Sequence, residues 1–178
     1  DERLYERVRL TNYDSSPIRL PVSFLFAADF RDMFEVRGAR RRARGRTFGP
    51  DVVASRVRFR YDGLDGVTRT SVVAFSEPPG VLTELRADFD LDLRSDECVE
   101  IFVEVGAGEA AIPSRARFGA AAARARYAMR ERRRQGARIT TNGRLFNAWI
   151  DKSRADLALL TTPMRTGPYP YAGIPWFS

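Results

Sequence analysis

The sequence predicts a mainly β chain with C-terminal helices, an antiparallel β-sandwich followed by two helices, and three observations carry that prediction. Apolar and polar residues alternate in successive runs between Leu4 and Val105, the two-residue period of a strand with one buried face. Clusters of Gly, Pro, Asp and Ser separate the runs, and such residues turn a chain. After Gly106-Ala107-Gly108 the apolar spacing lengthens to that of a helix.

Taken in order, Leu4, Glu6, Val8 and Leu10 alternate with Tyr5, Arg7, Arg9 and Thr11 in a first strand, which Asp14-Ser15-Ser16-Pro17 ends. Leu20, Val22, Phe24 and Phe26 mark a second, and Met33 to Arg37 reads as a third, short one. Periodicity then disappears until Pro50. This gap holds the densest cationic run, Arg37-Gly38-Ala39-Arg40-Arg41-Arg42-Ala43-Arg44-Gly45-Arg46. It lacks the interleaved aromatics on which bases stack, so it reads as a solvated loop ahead of a nucleic-acid site.

Val57, Phe59 and Tyr61 alternate with Arg56, Arg58 and Arg60, giving one apolar and one basic face. Asp62-Gly63 and Asp65-Gly66 supply turn chemistry, and Val67 to Phe75 returns before Pro78-Pro79-Gly80. Leu85, Ala87, Phe89, Leu91 and Leu93 alternate with Arg86, Asp88, Asp90 and Asp92, and Val99, Ile101, Val103 and Val105 make the last strand. Short turns between successive strands predict antiparallel meanders, and one polar face per strand predicts two packed sheets.

The helical part starts at Pro113-Ser114, with Ser114 as N-cap and Gly136 as the C-terminal stop. Phe118, Ala122, Ala125 and Met129 form its stripe, while Arg130, Arg132, Arg133 and Arg134 crowd the last turn, where cations suit the helix dipole. A second helix begins near Asn142. Phe146, Ile150, Ser153, Leu157 and Leu160 form its stripe, and Leu145 and Trp149 widen it. So broad an apolar face requires a cover: the sandwich, a second copy of the chain, or further helices.

Composition narrows the chemistry. At 178 residues, 44% hydrophobic and 30% charged, the chain has the make-up of a globular protein with a sizeable core. No apolar stretch of about 18 residues would span a bilayer. Asp1-Glu2-Arg3 leads straight into a strand pattern, so neither a signal peptide nor a membrane partner is expected, and the predicted compartment is the cytoplasm. The net charge of +7 invites a nucleic-acid reading, yet 29 of the 30 basic residues are arginine, a bias that codon usage produces as readily as phosphate binding. With one cysteine, Cys98, and no histidine, the chain has no internal disulfide, no cysteine zinc site and no imidazole nucleophile pair. Neither cofactor nor metal is expected.

The closing stretch Gly167-Pro168-Tyr169-Pro170-Tyr171-Ala172-Gly173-Ile174-Pro175-Trp176-Phe177-Ser178 combines ring-constrained backbone with aromatic side chains. Its prolines exclude a helix interior or a central strand, so it reads as irregular. Its aromatics fit two uses. They close a core, or they form a wall that stacks on sugar rings.

The run Leu145-Phe146-Asn147-Ala148-Trp149-Ile150-Asp151-Lys152-Ser153-Arg154-Ala155-Asp156-Leu157, followed by that closing stretch, resembles the start of the catalytic (α/α)6 barrel of bacterial glycogen debranching enzymes of the amylo-α-1,6-glucosidase type. Upstream, Tyr5-Glu6-Arg7-Val8-Arg9-Leu10-Thr11-Asn12-Tyr13 and Ala28-Asp29-Phe30-Arg31-Asp32-Met33-Phe34-Glu35-Val36-Arg37-Gly38 resemble the β-sandwich domain that precedes the barrel. The resemblance implies a supersandwich-like domain over 1–112, N-terminally incomplete, an Arg/Ala-rich linker helix over 113–138, and the first helix and loop of a truncated barrel over 139–178.

It further implies a parent that hydrolyses α-1,6-glucosidic branch points. The catalytic carboxylates of that parent lie outside this sequence, so no residue here is assigned a catalytic role and the chain alone is expected to be inactive. Trp176, Phe177 and Tyr171 are the implied substrate-binding residues. The implied partners are an α-glucan, glycogen or maltooligosaccharide, met through the intact parent, and the catalytic barrel, with self-association of the fragment as a further expectation. Two other functions stay open: an arginine-rich nucleic-acid-binding protein using Arg40 to Arg46 and Arg130 to Arg134, and a stand-alone carbohydrate-binding module.

Asp88, Asp90 and Asp92 test the hydrolase chemistry directly, because same-face neighbours on a strand sit about 6.6 Å apart and glycosidases use carboxylates roughly 5 to 10 Å apart. A glycosidase acid also needs a secluded pocket that raises its pKa. These three repeat along a strand face that reads as solvated, and Leu93 stands where a calcium loop needs glycine. They are read as surface residues.

Overall fold

The computed structural model describes residues 3–135 and 137–171. The chain runs β1 (Arg3–Thr11), β2 (Ile18–Leu25), α1 (Met33–Val36), β3 (Arg46–Thr47), β4 (Asp51–Val53), β5 (Arg56–Asp62), β6 (Thr68–Phe75), β7 (Val81–Leu82), β8 (Arg86–Leu93), β9 (Cys98–Ala107), α2 (Arg115–Arg134), α3 (Arg144–Leu160), β10 (Thr161–Met164) and β11 (Gly167–Pro170). It is mainly antiparallel β-structure with helices concentrated in the C-terminal part. Asp1–Phe30 with Arg40–Gly119 forms one unit, and Arg31–Ala39 with Ala120–Ser178 a second, the division falling inside α2.

The first unit is a sandwich. Its larger sheet runs β1-β9-β6-β5-β3 with β4 also on β5, and its smaller sheet runs β2-β8-β7. Val57, Phe59, Val73, Phe75, Ala87, Phe89, Ile101 and Val103 are the buried core, joined by Val22, Phe24 and Leu91. Of the residues predicted to face inward, Val57 and Phe59 of β5, Ala87, Phe89 and Leu93 of β8, and Ile101 and Val103 of β9 are buried, whereas Leu85 is exposed. Phe24, Phe75 and Phe89 meet pairwise at 5.4 to 5.7 Å between ring centroids in tilted and edge-on geometry, the arrangement the ring quadrupoles favour.

Three local expectations change. In the sandwich only β4-β5-β6 and β7-β8 pair in succession as predicted: β1 pairs with β9, Arg3 opposite Gly106 through Thr11 opposite Cys98, and β2 pairs with β8. Two apolar faces must bury each other, and the chain reaches that state by passing back and forth between sheets. Met33–Val36 is a helical turn instead of a strand. Asp32 accepts from the backbone N–H groups of Phe34 and Glu35, and Glu35 Oε2 accepts in return from the Asp32 N–H at 3.2 Å, a reciprocal cap that outweighs the β-leaning composition.

Nor does β9 keep a polar face. Phe102 and Glu104 are buried on the side opposite Ile101 and Val103. The first turn of α2 covers them, with the Phe102 and Phe118 rings 5.9 Å apart and the Arg117 guanidinium on Glu104 through bonds of 2.6 and 2.9 Å. Ser114 caps this helix as predicted, its hydroxyl oxygen accepting from the Arg117 N–H at 3.3 Å. The predicted stop at Gly136 lies outside the described residues.

Asn12 closes the corner where β1 ends. Only 2% exposed, its amide donates to the carbonyls of Ser16, Leu93 and Arg94, and its Oδ1 accepts from the Asp14 N–H. One side chain thus ties the β1–β2 turn to the end of β8, its two amide hydrogens shared among three carbonyls.

Candidate functional site

The prolines decide the local structure of the proposed sugar wall. Gly167–Pro170 is not irregular: it pairs with Thr161–Met164 as a two-stranded ribbon, with Thr161 opposite Pro170, Thr162 opposite Tyr169 and Pro163 opposite Pro168. The Tyr171 N–H donates to the Leu160 carbonyl at 3.1 Å, so hydrogen-bonded pairs fall at 160/171, 162/169 and 164/167. The three prolines take the alternate pairs, which need no N–H. A ribbon edge tolerates what a central strand would reject.

This alternation sets Tyr169 and Tyr171 on one face, their rings 5.0 Å apart and inclined by 59°. The Tyr171 hydroxyl lies 3.6 Å from the Met164 sulfur. Of the three predicted substrate-binding residues, Tyr171 is therefore half-buried within an aromatic pair, while Trp176 and Phe177 lie outside the described residues.

On α3, Gly143 occupies the N-cap without a capping side chain. The Asn147 amide instead folds back on Thr141, accepting from its N–H at 2.8 Å and donating to its carbonyl at 2.7 Å. The predicted broad stripe is present but uncovered. Leu145 is 84% and Trp149 61% exposed, with Phe146, Leu157 and Leu160 also exposed, and only Ala158 of this helix is buried. Phe146 and Trp149, one turn apart, stand 5.5 Å ring to ring.

The aspartates of β8 are surface residues, as read. Ser23 and Arg86 both donate to Asp88 Oδ1 at 2.6 Å, and Arg19 Nε donates to Asp90 at 2.7 Å. The Ser23 hydroxyl, then Arg86, holds Asp88 below the usual carboxylate range, and Arg19 does the same for Asp90. Arg69 and the Val67 N–H act alike on Asp65. A general acid at neutral pH needs the opposite shift.

Two arginines of the basic run make local contacts. Arg44 donates to the Asp29 carbonyl at 2.8 Å, and the guanidiniums of Arg46 and Arg60 lie 4.7 and 3.7 Å from the Phe48 ring centroid. An aromatic does sit beside the arginines, yet its ring is taken by cation–π contact instead of open to a base. In α2, Arg134 pairs with Glu131 at 2.8 Å. Among the described residues no group of three His, Cys, Asp or Glu is placed to hold a metal, and no helix is long and apolar enough to cross a membrane.

Sequence reasoning missed the Glu104–Arg117 pair and the Asn12 corner. A signal existed for the first: Glu104 interrupts the run Ile101-Phe102-Val103-Glu104-Val105, and a charge inside an apolar strand predicts a buried partner.

These features define a class: a β-sandwich module with a helical extension, in which Asp65, Asp88 and Asp90 are stabilised as anions. Residues 1–104 match the family model described as the N-terminal domain of (some) glycogen debranching enzymes, and the chain belongs to that family. No curated protein and no solved structure matches it.

Proposed function

We propose that the chain is the non-catalytic N-terminal part of a glycogen-debranching glycoside hydrolase of the amylo-α-1,6-glucosidase type, in which sandwich and linker helix lead into an (α/α)6 barrel. In this reading α3 is the first barrel helix, and the parent hydrolyses α-1,6-glucosidic branch points in the cytoplasm with carboxylates of the barrel. Tyr171, Trp176 and Phe177 then belong to the wall that faces glucose. The observation that carries the reading is the family match over residues 1–104.

Two structural features support it. The apolar stripe of α3 is exposed from Leu145 to Leu160, as expected of a helix whose cover is supplied by neighbouring barrel helices. Asp88 and Asp90 of β8 are stabilised as anions by Ser23, Arg86 and Arg19, which suits a module that positions a catalytic domain and leaves proton transfer to it.

Glucose release from a branched limit dextrin tests the proposal. The 178-residue chain alone is expected to release none, and the full product of its gene to release glucose from the branch points. A full product that leaves every α-1,6 linkage intact would overturn the assignment.

A further inference from the structure

The helical unit contains a groove that the sandwich does not account for. It encloses about 240 Å³ and is lined by Arg132 and Arg133 at the end of α2, Arg154 and Leu157 of α3, and Pro168 and Pro170 of β11, with no acidic residue in its wall. Arg154 is half-buried, and its Nη2 donates to the Arg133 carbonyl at 2.6 Å. That bond holds the guanidinium in place while using one of the five N–H donors of the fork.

Arginines at helix ends have an ordinary explanation, since they satisfy the last carbonyls. Magnitudes show that it does not suffice. Two helices end here, α2 at Arg134 and α3 at Leu160, and each C-terminus contributes roughly half a negative charge. Part of that is already met, because Thr161 donates both its N–H and its hydroxyl to the Leu157 carbonyl. Three guanidiniums therefore leave a surplus of roughly two positive charges. A phosphate monoester carries about −1.5 to −2 at neutral pH and presents oxygens that match a guanidinium fork. The two prolines offer a rigid apolar surface to the carbon skeleton of such a ligand, at little ordering cost.

We propose that this groove binds a phosphate monoester on a small organic skeleton, for which glucose 6-phosphate is the probe. The test is titration calorimetry of the full chain with glucose 6-phosphate, inorganic phosphate and glucose. Glucose 6-phosphate is expected to bind, inorganic phosphate to bind more weakly and to compete with it, and glucose to give no heat. Arg154→Gln and Arg132→Gln are each expected to weaken glucose 6-phosphate about tenfold, the loss of one charge-assisted contact. Arg40→Gln, in the other unit, is expected to leave it unchanged.

Arg132→Gln keeps the test open should Arg154→Gln fail to fold, because the Arg132 side chain has no hydrogen bond or ion pair to lose among the described residues. Absence of heat up to about 10 mM glucose 6-phosphate, equal affinity for glucose, or equal weakening by Arg40→Gln would overturn the proposal. The last outcome would mark a general attraction of anions to an arginine-rich chain.

Discussion

The sandwich and the helical unit use similar residues in opposite ways. In the sandwich Phe75 and Val57 have no exposed surface, and Ile101 is 1% exposed. On α3 Leu145, Trp149 and Leu159 stand mostly in the open. Both segments are comparably apolar, so composition does not distinguish them. What differs is whether the described chain contains the facing surface. Each sandwich strand has its partner within residues 3–107, whereas among the described residues the apolar stripe of α3 is left mostly exposed. The contrast teaches that a stripe of apolar residues reports a demand for a partner without reporting where that partner resides.

The contrast breaks most sharply under core truncation. Phe75→Ala removes a fully buried ring in contact with Phe24 and Phe89, and roughly 3–5 kcal/mol of unfolding free energy is expected to go with it. Urea unfolding followed by far-UV circular dichroism measures the loss. A loss below about 1 kcal/mol would mean that the sheets do not meet as described.

Next come the polar anchors that sequence inspection passed over. Asn12→Ala leaves several backbone groups at the β1 corner without their partner, at an expected cost of about 1–3 kcal/mol. Glu104→Gln keeps the shape and removes the charge beneath Arg117, whose own side chain is 38% exposed. Water screens that end of the pair, so an effect of about 1–2 kcal/mol is expected, at the lower end for a buried charged bond. A double-mutant cycle with Arg117→Met isolates the coupling. Zero coupling would reduce the pair to packing.

The anchors also mark the limit of what was legible. Period-2 patterning exposed the long strands and their inward faces, because one buried side per strand writes itself into every second residue. It was silent on pairing: nothing in Arg3–Thr11 names Cys98–Ala107 as its neighbour, and topology depends on contacts far apart in sequence. Short elements failed for a different reason. Four residues from Met33 to Val36 carry too few positions to separate the two periods, although Asp32 and Glu35 three apart were a readable cap signal. The ribbon at Thr161–Pro170 was hidden because a proline count ignores parity, and parity decides whether a missing N–H matters. The apolar stripe of α3 was legible, while the arginine groove depends on three segments converging.

A smaller effect comes from pH. Asp88, Asp90 and Asp65 are stabilised as anions in the folded chain, so their folded pKa values lie below the unfolded value of about 3.9. The stabilisation is fully present above that value and is lost as pH falls through the folded pKa values. Unfolding midpoints are expected to hold steady from neutral pH to about 5 and to decline below about 4. Because these carboxylates are solvent-facing, 0.5 M salt should flatten part of the decline. Asp90→Asn should flatten it further, and a midpoint that rises on acidification would reverse the sign of the argument.

The smallest change sharpens the comparison from the other side. Trp149→Ser removes a large ring from α3, but 61% of that residue is already exposed, so the stability of the 178-residue chain is expected to shift by no more than about 0.5 kcal/mol. Binding of an apolar dye should fall measurably, since Trp149 and Phe146 form the widest aromatic patch on that helix. In the full gene product the same substitution should cost roughly 3 kcal/mol or more, because there the ring would be buried against the helices that complete the barrel. Equal small effects in both contexts would show that the stripe stays open even in the complete protein, and the assignment of α3 to a barrel would lose its support.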